Sequence, residues 1–422
     1  MRNRVIPAAA ASFLTWSAVV MLVATTIAAP LDVLGRPMLI GLVVAAAISV
    51  ASIPLGAFGR YGAVAMTILF LLPALWWLVA ALGLVEVAAA LAARWRRAER
   101  WPIGRASVLL VGLLCVVSAV QLAPRSLDYV GERPPAIADA DVPVYLLLVD
   151  GYPRIDTLQG LGIENDAFVH ALEERGFDHY PDATSLHQWT HRTLDAMAAT
   201  DPRAVPDEGG SAADREEVRE RLGMPENFVV IDPPASHVMM RGGPTISAGG
   251  MNDFEAHLIG RSVVTWIAPE LARDLVEAGL RRHLEGTLDL VARTPSRQLF
   301  AHLLAPHPPF LYADGLSTCW PACGTFEVDA EKLGMSRDAW AAHMDRHLDG
   351  VNRRLLDAVD RVLDAHPDAV IVLFGDHGAR YGGDRDEPHR TFLAARTPGA
   401  PHLFDAEPHP HAILSVLAEF LR

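Results

Sequence analysis

Long apolar segments are confined to the first 123 of the 422 residues, and this segregation constrains the fold more than any other feature. Four runs cover residues 8–29, 38–57, 63–93 and 106–122. A helix needs about 20 such residues to cross the hydrocarbon core of a bilayer. The first run is too long for the core of a signal peptide, and further runs follow it. The sequence therefore predicts a helical transmembrane domain over residues 1–123.

The number of membrane spans is left open by the third run, which Pro73 and Glu86 interrupt. It forms one span or two short ones, giving four or five in total. An arginine cluster precedes the last run, and such clusters face the cytoplasm; its members are Arg94, Arg96, Arg97, Arg100 and Arg105. Five spans also place Arg2 and Arg4 inside. Under either count, the last run carries the remainder of the chain to the extracytoplasmic side of the cell (inner) membrane.

Charge divides the chain at the same point. The first 125 residues hold ten arginines, no lysine and three acidic residues, a net charge of +7. Because the whole chain carries −14, the remainder carries −21. An acidic domain lacks the basic face that a phosphate backbone requires, which argues against nucleic acid as a partner.

The remainder alternates between strand and helix patterns. Residues 124–141 are rich in proline and read as a linker, and residues 142–422 follow as one soluble domain. Short apolar runs predict strands at 142–149, 228–231, 298–304, 370–374 and 391–395, and helical spacing predicts helices at 165–175 and 338–365. This alternation indicates an α/β domain with a mostly parallel sheet.

Two of the predicted strands end on an acid. VYLLLVDGYPR places Asp150 after an apolar run, and IVLFGDHG places Asp376 and His377 after another. Ligands of open α/β sheets bind beyond the carboxyl ends of the strands. Two buried carboxylates repel each other unless a cation lies between them, so neighbouring strands would give a metal site. A single strand-end Asp is more often a turn former or a helix cap.

Three motifs in this order resemble the alkaline phosphatase superfamily, in its membrane-anchored, sulfatase-like branch. They are VYLLLVDGYPR, the segment SLHQWTHRTL at 185–194, and LFGDHG; HLLAPHPPFLY at 302–312 is similar to a fourth segment of the transferases. The branch includes lipoteichoic acid synthases, phosphoglycerol transferases and phosphoethanolamine transferases. The resemblance covers roughly residues 142–398 and implies an extracytoplasmic, alkaline-phosphatase-like α/β sandwich as the catalytic domain.

The resemblance also implies roles for individual residues. The metal ligands would be Asp150, Thr190, Asp376 and His377, and Thr190 would be the catalytic nucleophile. Metal coordination activates a threonine hydroxyl, which is otherwise a poor nucleophile. Thr193 is an alternative nucleophile, and Thr190 could instead be a helix N-cap. The ligand set suits Mn, Mg or Zn without choosing among them.

Three histidines complete the implied site. His302 and His307 would hold the phosphoryl group or a second cation, and His389 could match a further histidine that binds the second zinc in two-metal relatives. All three are candidate substrate-binding residues. The alternative for the first two is a structural role in a proline-rich loop. One metal site is expected, and the second stays open because no clear Asp-x3-His pair is present.

The reaction implied is a phosphotransferase or phosphodiesterase reaction on membrane-lipid or cell-envelope phosphoesters. A lipid headgroup would be the donor, a glycan, a lipid or water the acceptor, and the lipid bilayer a partner. True sulfatases carry Cys or Ser in a C/S-x-P-x-R segment, whereas this chain has WTHRTL there. Sulfate or phosphate monoester hydrolysis is therefore the alternative, and a non-catalytic binding domain on the same scaffold is a further one.

The two cysteines of CWPAC, Cys319 and Cys323, lie in a polar loop. In an oxidising compartment they would form a small disulfide, and otherwise they are two free thiols. No second Cys pair exists to complete a zinc knuckle.

Overall fold

The structure is a computed structural model that describes residues 142–199, 201–205, 228–231, 245–294, 298–313, 315, 320, 330, 332–379 and 386–421. The predicted transmembrane domain 1–123, the linker 124–141 and the cysteine pair lie outside the described residues. Within the described ranges, no helix is both long enough and apolar enough to cross a membrane. The chain divides into two compact units, one formed by 1–128 with 254–274 and the other by 129–253 with 275–422.

The second unit is built on a seven-stranded mixed sheet. The strands are β1 (Val144–Val149), β2 (Asp178–His179), β3 (Val229–Ile231), β4 (Thr245–Ile246), β5 (Gln298–Leu303), β6 (Val370–Phe374) and β7 (Leu393–Arg396). Their spatial order is β2-β7-β6-β1-β5-β3-β4. The pairs β1–β5, β1–β6, β3–β5 and β3–β4 are parallel, while β6–β7 and β2–β7 are antiparallel. The predicted mostly parallel α/β sheet is thus confirmed.

The strand β1 is the centre of the sheet. Every residue of β1 and of both its neighbours, β5 and β6, is buried. A parallel strand that is covered on both faces has no solvent side, so its sequence is continuously apolar rather than alternating. This explains the run VYLLLV, and it places the residue after Val149 in the interior.

The helices are α1 (Ile155–Gly160), α2 (Asp166–Glu173), α3 (Thr190–Ala198), α4 (Asp253–Arg261), α5 (Val263–Ile267), α6 (Pro269–Arg293), α7 (Arg337–Ala365) and α8 (Ile413–Phe420). Helix α7 matches its prediction to within a residue. It begins at Ser336, whose Oγ accepts a hydrogen bond from Ala339 N at 3.2 Å. Such a cap satisfies one of the orphan N–H groups of the first turn. Its apolar stripe, which includes Leu348, Val351 and Leu355, is buried.

Several predicted bounds differ from the structure, since the strand predicted at 142–149 begins at Val144 and the helix predicted at 165–175 spans Asp166–Glu173. The strand predicted from residue 391 begins at Leu393, because Thr391 Oγ1 lies 3.3 Å from Tyr152 O and 3.2 Å from His377 O and so serves the turn beside the strand. The sequence analysis also predicted no element over 253–293, where α4, α5 and α6 lie. Between residues 266 and 275, large apolar side chains on the solvent side blur the helical pattern.

Candidate metal centre

The two strands that end on an acid, β1 and β6, are adjacent and parallel. The metal site predicted from the sequence required them to be neighbours. In the register of β1 and β6, Leu148 pairs with Phe374. Asp150 and Asp376 each follow two residues after this pair. Residues two apart point to the same face of an extended chain. The two carboxylates therefore emerge at the same level of the sheet edge.

Asp150 is fixed in place by its own backbone. Its N–H donates to Leu303 O at 2.9 Å, and its carbonyl accepts from His307 N at 3.0 Å. The first bond continues the ladder to β5, while the second draws the proline-rich loop back over the strand end. Asp150 is 3% exposed. Its carboxylate is thus held in the interior beside the residues of that loop.

Gly151 joins the two strand ends. Its N–H donates to Asp376 Oδ1 at 2.9 Å, and its φ is +67°. A Cβ at this position would lie 3.3 Å from His377 Cε1 and 3.6 Å from His307 Cβ. Glycine adopts this left-handed conformation without steric cost and leaves room for both imidazoles.

Two histidines contribute their imidazole rings to the centre. His377 Nδ1 lies 2.7 Å from Gly378 O, and His307 Nδ1 lies 2.6 Å from Pro308 O. A carbonyl oxygen only accepts, so each Nδ1 carries a proton, and Nε2 is the nitrogen of each ring that a cation would bind. A backbone partner at the distal nitrogen is the usual support of a metal-binding histidine.

The ligand atoms converge. Asp150, His307 and His377 offer one atom each within 4.8 Å of one another. His377 Nε2 lies 3.4 Å from Asp150 Oδ1 and 3.6 Å from Asp376 Oδ2. Both of these oxygens are buried, and neither accepts a hydrogen bond from the described residues. Buried carboxylate oxygens and imidazole nitrogens that converge in this way are a donor set that fits a divalent cation.

His302 supports the centre from behind. It lies on β5, is fully buried, and its Nε2–H donates to Asp150 Oδ2 at 2.8 Å. Burial alone would raise the pKa of the Asp150 carboxyl. The charge of His307 and the contacts from His302 and His377 outweigh burial and hold that pKa well below its ordinary value. Asp150 is therefore ionised in the folded protein, with one oxygen engaged by His302.

The predicted nucleophile segment reaches the centre through the first turn of α3. Thr193 Oγ1 donates to Asp376 O at 2.8 Å and lies 3.0 Å from Ser185 Oγ. Thr190 is the first residue of α3, and the cap position belongs to Trp189 rather than to Thr190. Residues three apart share a face of a helix. Thr190 therefore lies on the same face of α3 as Thr193, which contacts the backbone of Asp376.

His389 lies at the same edge of the fold as the 185–194 segment. Its Nδ1–H donates to Ser185 O at 2.9 Å, and its carbonyl accepts from Ser185 N at 2.8 Å. Close packing ties this stretch to the DHG turn, because a Cβ on Gly378 would overlap Arg390 O and Glu387 O. His389 thus holds the nucleophile segment beside the turn.

His302 and His307 were predicted together, as residues that hold the phosphoryl group or a second cation, and the structure separates them. His307 lies among the candidate metal ligands, while His302 lies behind Asp150 with no exposed surface. The role of Gly151 was also missed. Its signal was the glycine directly after the strand-end acid, which a close approach of backbone and side chains requires.

Comparison with protein-family models and with curated protein sequences finds no match. Solved structures do match. The soluble domain of lipooligosaccharide phosphoethanolamine transferase A from Neisseria meningitidis is 13% identical, covers 68% of this chain and 91% of its own, and has a TM-score of 0.39. The integral membrane form of that protein is 13% identical, covers 90% and 72%, and has a TM-score of 0.37. Phosphonate monoester hydrolase of Agrobacterium radiobacter is 13% identical, covers 66% and 73%, and has a TM-score of 0.41.

Likeness at this level carries no activity over to this chain, so the residues of the centre have to support any functional conclusion. The matched structures are enzymes of the sulfatase-like branch of the alkaline phosphatase superfamily, which is the family that the motifs of this chain resemble.

Proposed function

We propose that the protein is a metal-dependent phosphotransferase or phosphodiesterase that acts on membrane-lipid or cell-envelope phosphoesters through Thr190. One observation carries the proposal. Two buried carboxylate oxygens, on Asp150 and Asp376, accept no hydrogen bond from the described residues and face the Nε2 atom of His377. Such an arrangement is costly in an empty interior and favourable around a cation.

The donor set narrows the choice of metal. Carboxylate oxygens of Asp150 and Asp376 combine with the imidazoles of His307 and His377. Magnesium takes oxygen ligands and retains several waters, whereas imidazole suits zinc and also accompanies manganese. Among Mn, Mg and Zn, we therefore rank Mg last. A bound divalent cation would neutralise phosphoryl oxygens and lower the pKa of a nearby hydroxyl.

Thr190 is favoured over Thr193 as the nucleophile because of their hydroxyl partners. Thr193 Oγ1 is engaged with Asp376 O and Ser185 Oγ, so it fixes α3 in place. Thr190 lies one turn earlier, at the N-terminus of the helix. The side chain of Trp189, the N-cap residue, makes no capping hydrogen bond there. The N–H groups of a first helical turn stabilise an anion such as a phosphoryl group.

The proposed reaction proceeds in two displacements. Thr190 Oγ forms a bond to phosphorus, the bond from phosphorus to the donor alcohol breaks, and the hydroxyl proton leaves with that alcohol. An acceptor hydroxyl, from a glycan, a lipid or water, then forms a bond to phosphorus. The bond to Thr190 Oγ breaks, and the acceptor's proton returns to it. The carboxylates of Asp150 and Asp376 would hold the cation through both displacements.

We further propose that the reaction takes place outside the cytoplasm, next to the membrane that residues 1–123 are predicted to span. The apolar runs and the arginine cluster of the sequence support this placement. A donor that is a lipid headgroup would then be presented to a domain that the linker 124–141 tethers at the bilayer.

The test uses the full chain in nanodiscs, supplied with Zn, Mn or Mg. Turnover of bis(p-nitrophenyl) phosphate and of p-nitrophenyl sulfate is measured for the native chain, Thr190→Val and Thr190→Ser. We expect metal-dependent turnover of the phosphodiester, which Thr190→Val lowers by about 10³-fold or more and Thr190→Ser partly retains. Mass spectrometry after an acid quench should find the phosphoryl group on Thr190.

Each other outcome has a definite meaning. Turnover that survives Thr190→Val would overturn the nucleophile. Comparable turnover of the sulfate ester would favour the monoester or sulfate hydrolase alternative. Tight metal binding without turnover of any ester would favour the binding domain.

A further inference from the structure

The large apolar side chains that the structure exposes, within the residues it describes, cluster in one short segment. Trp266 is 61% exposed, Ile267 is 77% exposed and Leu271 is 53% exposed. We call these three residues the apolar ridge. Helix α6 carries one more exposed leucine, Leu275, a turn later at 46%. Scattered exposed hydrophobics need no explanation, but a contiguous set marks an interaction surface.

Hydrogen bonds within the segment fix the conformation of the helices that carry the ridge. Ser262 Oγ accepts from Val264 N at 3.3 Å and caps α5. Thr265 Oγ1 and Ser262 Oγ donate to Ile259 O at 2.7 and 2.8 Å. The opposite side of the segment is buried, since Ala272 is fully enclosed. The ridge is therefore the outer face of a fixed helical corner rather than a frayed end.

We propose that the apolar ridge docks on the surface of a lipid bilayer. The four apolar runs within residues 8–122 are predicted to anchor the chain in a membrane, and the ridge lies in the part of the chain that follows them. The linker of 18 residues at 124–141 reaches at most about 60 Å when fully extended. A domain on such a tether meets the bilayer at high effective concentration, so a small apolar surface suffices to hold it there.

The composition of the segment fits a bilayer surface. Trp266 combines a large apolar ring with one N–H donor, and tryptophan is enriched where hydrocarbon meets the headgroups. Residues 261–275 hold two arginines and two acidic residues, so the segment has no net charge. Binding should therefore depend on the insertion of apolar side chains to about 5–10 Å, and little on anionic lipid or on salt.

This inference goes beyond the proposed activity, and its test requires no turnover. The full chain is prepared with its three cysteines (Cys115, Cys319 and Cys323) replaced by serine. It carries one new cysteine with an environment-sensitive fluorophore, either Leu271→Cys or Arg353→Cys. Arg353 is the control, because its side chain on α7 is 71% exposed. Both proteins are reconstituted in phosphatidylcholine nanodiscs whose acyl chains carry bromine, a short-range quencher.

We expect the bromolipids to quench the probe at residue 271 and not the probe at residue 353. Quenching should be equal at about 0.05 and 0.5 M salt, because salt screens attraction between charges and leaves apolar insertion unchanged. Adding Ile267→Glu should abolish quenching at residue 271, and this exposed site leaves the core intact. A probe at 271 that remains in water overturns the proposal. A blue-shifted probe without lipid quenching also overturns it, and indicates packing on residues 1–123 or on a second copy. All these outcomes can be interpreted even if the phosphotransfer assay fails, because quenching does not depend on turnover.

Discussion

The candidate metal centre and the apolar ridge are opposite exceptions to the rule that charged side chains are exposed and apolar side chains are buried. At the centre, the carboxylates of Asp150 and Asp376 are almost completely buried. On the ridge, Trp266 and Ile267 are largely exposed. Burying an unpaired charge and exposing a large apolar side chain both cost free energy. Each is explained if a partner is added, a cation in the first case and a bilayer in the second.

The comparison teaches that a cost left without compensation points to a missing partner. Some other buried polar groups of this protein are compensated internally. Tyr152 Oη, for example, donates to Asn352 Oδ1 at 2.9 Å and accepts from Asn165 Nδ2 at 2.7 Å. That network is complete and needs no ligand. One oxygen of each strand-end carboxylate lacks such a partner among the described residues, and these two oxygens lie beside the same imidazole nitrogen, His377 Nε2. This convergence separates the candidate site from the completed network.

The largest effect should come from removing one strand-end charge. In Asp376→Asn the amide oxygen can keep the hydrogen bond from Gly151 N, but its NH2 group replaces the oxygen that faces His377. We expect metal affinity to fall by more than the roughly 100-fold typical of outer partners. The metal-free protein should melt at the same temperature or higher, because the repulsion from Asp150 is removed.

Metal content by mass spectrometry and melting curves with and without EDTA measure both effects. The control is Asp360→Asn, which removes a half-exposed carboxylate paired with Arg175. An Asp376→Asn protein that binds metal as the native chain does would place the centre elsewhere.

A second variant tests whether His302 acts through Asp150. His302→Leu removes the donor to Asp150 Oδ2 and keeps the site apolar and filled. We expect metal affinity to fall by about 10- to 100-fold, as for other outer partners of metal sites. Gln298→Leu, at the buried start of the same strand, controls for damage to β5. Equal metal affinities in these two variants would show that His302 has no positioning role.

Alanine substitutions at two glycines distinguish backbone strain from crowding at the metal centre. Gly151 and Gly162 have φ values of +67° and +73°, but a Cβ would contact His377 and His307 only at Gly151. Alanine should cost each position about 1–2 kcal/mol of unfolding free energy through the left-handed conformation. Only Gly151→Ala should also weaken metal binding. Titration calorimetry and melting curves on both variants measure this, and equal metal affinities would contradict the crowding.

The smallest effect concerns a buried histidine away from the strand ends. His347 is fully buried, and its Nδ1 accepts from Tyr312 N at 3.1 Å. Burial, with the charges of Arg281 and His307, lowers the pKa of His347 from 6.5 to about 3. Between these values the unfolded chain binds a proton that the folded chain does not. Stability should therefore fall as pH falls from 6.5 towards 3, by up to about 1.4 kcal/mol per pH unit.

His347→Gln should remove this slope, because glutamine can accept from Tyr312 N without titrating. Melting temperatures of the full chain in detergent between pH 4 and 8 measure the change. His170→Gln, at a side chain that is 72% exposed, should leave the slope as it is. A pH dependence that is unchanged in His347→Gln would assign the acid sensitivity to other groups.

Much of the fold was predictable because its signals are local. The apolar runs of β1 and β6 and the helical stripe of α7 are written in a few consecutive residues, and burial on both faces requires such runs. The same locality put Asp150 and Asp376 at strand ends. It did not reveal α4, α5 and α6. On α5 and at the start of α6, the outer face carries apolar side chains that the helical pattern assigns to a core.

The sequence by itself thus determined which acids end which strands, and that a glycine follows each acid or the histidine beside it. Only the tertiary structure decided that β1 and β6 are neighbours. It also decided that His307 faces the centre while His302 lies behind Asp150. The register of the strands and the path of the proline-rich loop back over the end of β1 depend on contacts between distant residues. His302 and Asp150, for example, are more than 150 positions apart. A local pattern carries no information about which distant segment supplies the other half of such a contact.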